Sequence, residues 1–437
     1  MALKKADFEN MLKIDYHGPM VDLLENSTYF LSRAERYTEP TGGRHMYIPI
    51  RTGRTASIGA RSDGDSETLP TGDRPTWGNA TFPVKSLYAT IRISGFSMRT
   101  SKPSALAFEK AMSADMEATV ADMKKDVNRQ IFGAGDAELA QVVSNANAGG
   151  TVNTVTVSNI LYPTNPTKFL YNRMKFDIRT ITTGADAGGG ATVVNSQTIG
   201  AVTSTTVFTY SATAAFTTGT TAIYREDNVG LTAVDGSSTN EIKEIYGLLA
   251  ALNSVDPDVA LAAGTARITA NFGGIDRGTA GNELWKGNKL SNAGVNRPFS
   301  VFICEQAIDE SEIKGNGKIS VIQSNHAIFR VHGANLAAAK QYDGAVMKLD
   351  GGWTALSVNG IPMVKDVECP DYHMFFIDES TLMLGVLGDW AWLEDDGGGI
   401  LNRLPGQDQY EGVFNKDCNL MCSKPSANTI VNDIAHS

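Results

Sequence analysis

The residues of this 437-residue chain best suited to metal or nucleophilic chemistry are four cysteines and six histidines. Cys369 and His373 stand four apart, as do Cys418 and Cys422. Two such pairs could supply the four soft ligands of a tetrahedral zinc site. The second pair, however, lies in Cys418-Asn419-Leu420-Met421-Cys422, where strand alternation turns both thiols and Leu420 to one side. Free cysteine is among the most buried residue types, so this spacing predicts core thiols rather than ligands. Glu394-Asp395-Asp396 gathers the carboxylates of a general acid–base pair, but it abuts Gly397-Gly398-Gly399 and reads as a solvated turn. Gly315-Asn316-Gly317-Lys318-Ile319 is the nearest approach to a phosphate loop. It lacks the first glycine and the hydroxyl residue, and it follows the acidic stretch Asp309 to Glu312 rather than a strand, so it too reads as a turn. There is no His-Glu-x-x-His, no Gly-x-Ser-x-Gly and no calcium-loop pattern, and no histidine has a nucleophile–base context. The expectation is a protein that is not an enzyme and carries no metal or cofactor.

Composition narrows the remaining classes. Hydrophobic residues make up 42% and charged residues 20%, which supports real cores and argues against wholesale disorder. The length asks for two or three compact parts. The balance of 38 basic and 48 acidic residues gives a formal charge of −10, without the basic footprint that neutralising many phosphates requires. Four cysteines are too few for a disulfide-built secreted fold, and Met1-Ala2-Leu3-Lys4-Lys5 opens no signal peptide. The longest apolar runs, such as Leu248 to Leu252, fall far short of the roughly 20 residues of a membrane helix. The 43 glycines favour strands, turns and long loops over a helical bundle.

Residues 1 to about 36 read as amphipathic and helical, ending at the breaker cluster Tyr37 to Gly43. Met46, Ile48 and Ile50 then alternate with polar neighbours, and Leu87, Ala89, Ile91 and Ile93 do the same. About thirty residues from Arg51 to Thr81, rich in Gly, Ser, Thr, Asp and Arg, lie between these runs. So long a connection with nothing to make a core predicts a two-stranded arm with no hydrophobic face of its own, seeking its partner on another molecule. From 103 to 132 Leu106, Met112, Met116, Val120, Met123, Val127 and Ile131 recur at helical steps, and Gly133 stops the run. That predicts one helix of about 45 Å whose opposite face is wet. Residues 151 to 225 hold 19 threonines and only 7 charged residues, which predicts a small β-module with a loop at Gly188-Gly189-Gly190. Helical spacing returns over 240 to 252. An α+β pattern follows from about 282, with strands expected at Phe299–Cys304, Trp353–Val358, Ile361–Val367 and Met374–Ile377, and a helix from Glu305 to Lys314.

This order of elements resembles the major capsid proteins of tailed double-stranded DNA bacteriophages, the HK-ninety-seven-type fold. The residues that carry the likeness are Asp122 to Gly135 at the end of the long helix, Glu244-Ile245-Tyr246-Gly247-Leu248-Leu249-Ala250, Val358-Asn359-Gly360-Ile361-Pro362-Met363-Val364, and Cys418 to Pro425. The likeness covers most of the chain in layout, with short and degenerate local motifs. It implies an N-terminal helical arm over 1–44, an extended two-stranded loop over 45–98 and a spine helix of the peripheral domain over 99–150. The Thr-rich inserted β-module with peripheral strands would cover 151–239, the axial α+β domain 240–365, and the return to the peripheral domain with the C-terminal tail 366–437.

The same resemblance implies a structural protein of the virion, made in the host bacterial cytoplasm. It would self-assemble into pentamers and hexamers and close an icosahedral head around double-stranded DNA held non-specifically. A portal protein, and a separate scaffold or cement protein, would be further partners, because the roughly 40 residues before the loop are too short for a fused scaffold. The charged loop residues Arg51, Arg54, Arg61, Asp63, Asp65, Glu67 and Arg74, with Lys85, are the expected inter-subunit contacts. Some relatives cross-link lysine to asparagine. Lys85 is the loop's only lysine, and no motif supports that chemistry here. The alternative class is a phage-associated β-rich receptor- or carbohydrate-binding protein, which would account for 151–225 but predicts no long amphipathic rod.

Overall fold

The computed structural model describes residues 29–38, 45–53, 55, 57–60, 71–96, 118–119, 121–123, 125–147, 152–180, 192–211, 221–226, 229–234, 237–254, 271–338, 346–348, 354–394 and 401–436. The helical arm expected over most of 1–36, the first half of the helix expected from 103, and the loop at Gly188-Gly189-Gly190 lie outside them. The described fold is mixed α+β, mostly strands with few helices.

A first sheet is organised by the long strand Gln409–Cys422. It pairs antiparallel with Leu382–Trp392 on one edge and with Lys85–Ser94 on the other, in register from Ser94↔Gln409 to Lys85↔Cys418. Leu87, Ile91 and Ile93 face the core at alternate positions, as their spacing predicted. The described helix end, with Met123, Val127, Ile131 and Phe132, and the wholly buried helix Leu248–Leu252 share that core.

A second sheet of seven strands runs in the order Asn288–Leu290, Thr429–Val431, Met374–Ile377, Val321–Asn325, Ile361–Asp366, Thr354–Val358, Val346–Lys348. Asn359 and Gly360, at φ of 50° and 80°, make the tight turn between Thr354–Val358 and Ile361–Asp366. Both residues being left-handed is what a two-residue hairpin loop demands. Val321, Val364, Phe375 and Ile377 face the main core, while Ile322, Met363, Met374 and Phe376 face the helices Val301–Gly315 and His326–Ala338.

The third system is a closed barrel of six strands: Thr221–Arg225, Glu138–Asn147, Val152–Ser158, Val207–Ser211, Thr192–Val202 and Lys175–Thr180. Phe176 stands edge-on to both Phe208 (5.5 Å) and Tyr210 (5.3 Å) inside it.

Four expectations need correction. The partner of His45–Arg51 is Trp77–Pro83, not the strand that carries Leu87 to Ile93. Trp77-Gly78-Asn79-Ala80-Thr81-Phe82-Pro83 hides its alternation because only Ala80 and Phe82 are apolar inward residues. The barrel begins before 151, with Glu138–Asn147; a bulge between Val142 and Ser144 breaks the period-two pattern that would have revealed it. Phe299–Cys304 is no strand: helix Val301–Gly315 absorbs it and buries the small side of its turns, Cys304, Ala307, Ser311 and Gly315. Its early β-branched and aromatic residues, Val301 and Phe302, point to water and so have no vote in the packing. Finally, 240–252 is not one helix. Ser237–Ile242 is a strand paired with Val229–Val234, and the helix starts only after Gly247.

Candidate assembly surface

The hairpin of His45–Arg51 and Trp77–Pro83 pairs from His45↔Pro83 to Arg51↔Trp77. Thr52 and Gly53 both donate backbone N–H to Thr76 O (3.0 and 3.3 Å), which carries the pairing toward the tip. Its inward residues Met46, Ile50, Ala80 and Phe82 are buried. Phe82 meets Phe272 edge-on at 5.1 Å, and Thr81 N–H donates to Gly273 O at 2.7 Å. The hairpin therefore does have a hydrophobic face, spent on the chain's own core, which corrects the expectation of an arm without one.

The outward residues are a different population. Tyr47 is 49% exposed and Trp77 65% exposed, and Ile58 beyond them is 83% exposed. Burying an aromatic side chain is worth about 1.5–3 kcal/mol relative to leaving it in water. Tyr47 and Trp77 are therefore the hairpin residues that a partner covering its outer face would gain most by burying.

Of the expected contact residues, Arg51 and Arg74 are exposed. Arg51 Nε donates to Gly53 O at 3.0 Å, so its guanidinium folds onto its own turn. The backbone N–H of Arg74 donates to Asp73 Oδ1 at 2.8 Å. Lys85 stands apart from both, opposite Cys418 on another strand. It lines an open cleft of about 1180 Å³ together with Asp122, Lys125, Lys168, Arg225 and Lys243. Arg54, Arg61, Asp63, Asp65 and Glu67 lie outside the described residues. Charge drew attention to the loop, whereas the outward aromatics Tyr47 and Trp77 were not among the expected contact residues. Their signal was parity: Tyr47 alternates with Met46 and Ile50 and must face away from them.

Polar contacts tie the helix end to the barrel. At the helix end Arg129 pairs with Glu244 and, at 3.1 Å, with Asp126; Arg225 reaches Asp126 from the barrel at 2.8 Å. Burial alone would raise the Asp126 carboxyl, but Arg129, Arg225 and a hydrogen bond from Gln130 hold it below its ordinary value. Burial raises Glu244, with Arg129 opposing that rise. The barrel is fixed a second time where Tyr162 O–H donates to Glu368 O, Lys168 pairs with Glu368 at 2.9 Å, and Asp371 N–H donates to Leu161 O at 2.8 Å.

The cysteines sit inside the cores. Burial pushes both Cys304 and Cys422 up to about 12, so neither thiolate is available near neutral pH. Among the described residues no group of three or more His, Cys, Asp or Glu side chains is arranged to hold a metal. At Gly315 and Gly317 an added Cβ would lie 2.1 Å from Ser426 O and 2.3 Å from Ala427 O, so that turn faces protein backbone rather than a phosphate.

No family model matches the chain, and no curated protein does. Among solved structures it is similar to the Cyanophage A-1(L) capsid asymmetric unit, at 12% identity over 95% of this chain and 92% of that one, with a TM-score of 0.49. It is also similar to the capsid of Myoviridae Phage XM1, at 6% identity over 93% and 92%, TM-score 0.45. A third is the holo-SrpI encapsulin complex from Synechococcus elongatus, at 8% identity over 100% and 98%, TM-score 0.42. These are likenesses of layout at TM-scores below 0.5, and the functional reading rests on the chain's own surface.

Proposed function

We propose that this chain is a structural shell subunit, the major capsid protein of a tailed double-stranded DNA phage. In this reading it assembles with itself into pentamers and hexamers that close an icosahedral head. The observation that carries the proposal is the hairpin: its inner face is anchored by Phe82 and Ile50, while Tyr47 and Trp77 are left on the outside. A shell repeats such a contact in every subunit, so modest single contacts suffice. The element order that resembles capsid subunits points the same way. The head would hold DNA without tight binding, as an overall charge of −10 suits. A portal and a separate scaffold or cement protein would be partners, and the virion its location. The loop charges Asp63, Asp65 and Glu67 would meet a neighbouring copy.

Negative-stain electron microscopy of the purified full chain after size-exclusion chromatography tests the proposal. Uniform shells, or five- and six-fold rings, are expected. A monodisperse dimer or trimer, even after co-expression with the neighbouring genes, would overturn it. That outcome would favour a receptor- or carbohydrate-binding role for the barrel, whose exposed Tyr171 would then be the first residue to examine.

A further inference from the structure

Residues 429–436 are stitched onto the seven-stranded sheet. Thr429–Val431 lies between Asn288–Leu290 and Met374–Ile377. Beyond it, Asn432 N–H donates to Leu290 O (3.0 Å), Arg297 N–H to Asp433 O (2.7 Å), Ile434 N–H to Tyr372 O (3.1 Å) and Ala435 N–H to Arg297 O (2.8 Å). Asp433 Oδ2 accepts from Ser291 Oγ, Asn292 N–H and Gly294 N–H. None of these contacts uses a group that ordinarily titrates between pH 5 and 8.

One contact differs in kind. Tyr372 holds a left-handed backbone at φ +62°, a conformation that a bulky residue keeps only where its surroundings impose it. Its carbonyl is used by Ile434, and its N–H donates to His436 Nε2 at 3.2 Å. The two rings stack at 4.3 Å. An imidazole nitrogen accepts a hydrogen bond only when it carries no proton; in the cation both ring nitrogens are donors. Protonated Nε2 would therefore aim its N–H at the N–H of Tyr372.

We propose that His436 and Tyr372 form a proton-gated clasp, in which the neutral imidazole holds residues 432–436 on the loop 369–373 and protonation releases them. The charged groups that face the ring are Asp371 on that loop, which favours the cation, and Arg330 on helix His326–Ala338, which opposes it. Asp371 is already engaged by Asn325 Nδ2 at 2.9 Å and Thr164 N–H at 3.2 Å. Burial, the largest influence, holds His436 below the ordinary histidine value. The sign follows: the folded state prefers the neutral ring, so the clasp contributes fully above about pH 6.5 and is lost as pH falls through the lower folded value. Release should loosen 432–436 while Thr429–Val431 keeps its ladder. The clasp is independent of the shell reading.

Hydrogen-exchange mass spectrometry on the full chain at pH 7.5 and 5.0, corrected for intrinsic exchange, is the test. In the wild type, exchange in peptides covering 369–373 and 432–436 should rise by up to roughly ten-fold per pH unit as pH falls from about 6.5 to the folded value and level off below it, and the strand Val321–Asn325 should not change. His436→Gln keeps an acceptor that does not titrate, so it should stay protected at both pH values. His436→Ala should be open at both. Equal protection of the wild type at the two pH values would overturn the clasp. So would an acid response that survives in His436→Gln, which would assign it to other groups. The clasp lies within one chain, so its failure leaves the proposed function standing.

Discussion

Arg129 donates through Nη2 to Glu244 Oε1 at a point where both side chains are almost wholly withdrawn from water, 7% and 4% exposed. Breaking one side of a buried pair leaves an uncompensated charge and typically costs about 3–5 kcal/mol, whereas replacing both by apolar groups is often near neutral. Glu244→Gln should therefore lower the urea midpoint by an amount equivalent to about 3 kcal/mol. The double variant Arg129→Met/Glu244→Met should recover only part of it, because it also takes Arg129 away from Asp126 and leaves that carboxylate to Arg225. Adding Asp126→Asn to the double variant should recover more, and a triple variant no more stable than Glu244→Gln would show that the cluster is worth more than its burial costs.

Asp126 gives that cluster its acid sensitivity. Its folded value is depressed by Arg129, Arg225 and Gln130 against the pull of burial, so its contribution is complete above the ordinary carboxylate value of about 3.9 and is lost as pH falls through the folded value. Asp126→Asn should be less stable than wild type at pH 7 and should show a flatter acid limb between about pH 5 and pH 2. Parallel acid limbs in the two proteins would contradict the assignment.

Arg277 is fully buried, and among the described residues no carboxylate pairs with it. Its Nη2 donates to Ala250 O and Ala251 O at 2.8 and 2.9 Å, its guanidinium lies 4.8 Å from the Phe272 ring, and its Nε and Nη1 have no partner among the described residues. Burial drops its value to about 10, with Cys422 opposing. Arg277→Lys keeps the buried charge but loses the planar fork and the stacking, and should cost about 1–3 kcal/mol. Arg277→Met removes the charge and should be better tolerated than Lys. Thermal unfolding of the two variants side by side decides the order; a less stable Met variant would mean the two carbonyl bonds dominate.

Gly247 marks the closest approach between the helix end and the short buried helix. A Cβ there would lie 2.2 Å from Gly133 O and 2.4 Å from Gln130 O, both rigid backbone. Gly247→Ala should destabilise by more than about 2 kcal/mol, in the range of overpacked cores. Gly72→Ala, where nothing lies within 4 Å, should stay within about 0.5 kcal/mol of wild type.

The fold was legible where one face of an element is uniformly apolar and its period unbroken. Lys85–Ser94 and Val207–Ser211 are such strands, and the turn at Asn359-Gly360 declares itself by residue type. It was illegible where tertiary context overrides local pattern. Trp77–Pro83 is half-filled by Gly, Asn and Thr, so its pairing with His45–Arg51 is decided by Phe82 finding Phe272. Glu138–Asn147 loses its period at a bulge. The site was half legible for a related reason. Charges in a loop announce exposure, but an aromatic reads as core until the parity of its strand is known, and that hid Trp77.

The outward aromatics give the decisive functional variants. Tyr47 and Trp77 are exposed, so replacing both by Ala removes no intramolecular core and should leave the thermal midpoint within about 1 °C to 2 °C of wild type. If the hairpin is an inter-subunit contact, the same pair sits among the aromatic residues that dominate interfaces, each costing about 2 kcal/mol or more when truncated. The double variant should then fail to form rings or shells while its circular dichroism is unchanged. Deleting residues 58–72 should do the same, because Thr52 and Thr76 still close the hairpin by their own hydrogen bond of 3.2 Å. Normal assembly by both variants would remove the hairpin from the interface. Loss of folding in Tyr47→Ala/Trp77→Ala would instead mean that the outer face is packed against the chain itself, which comparison of the two variants by size-exclusion chromatography and thermal unfolding will distinguish.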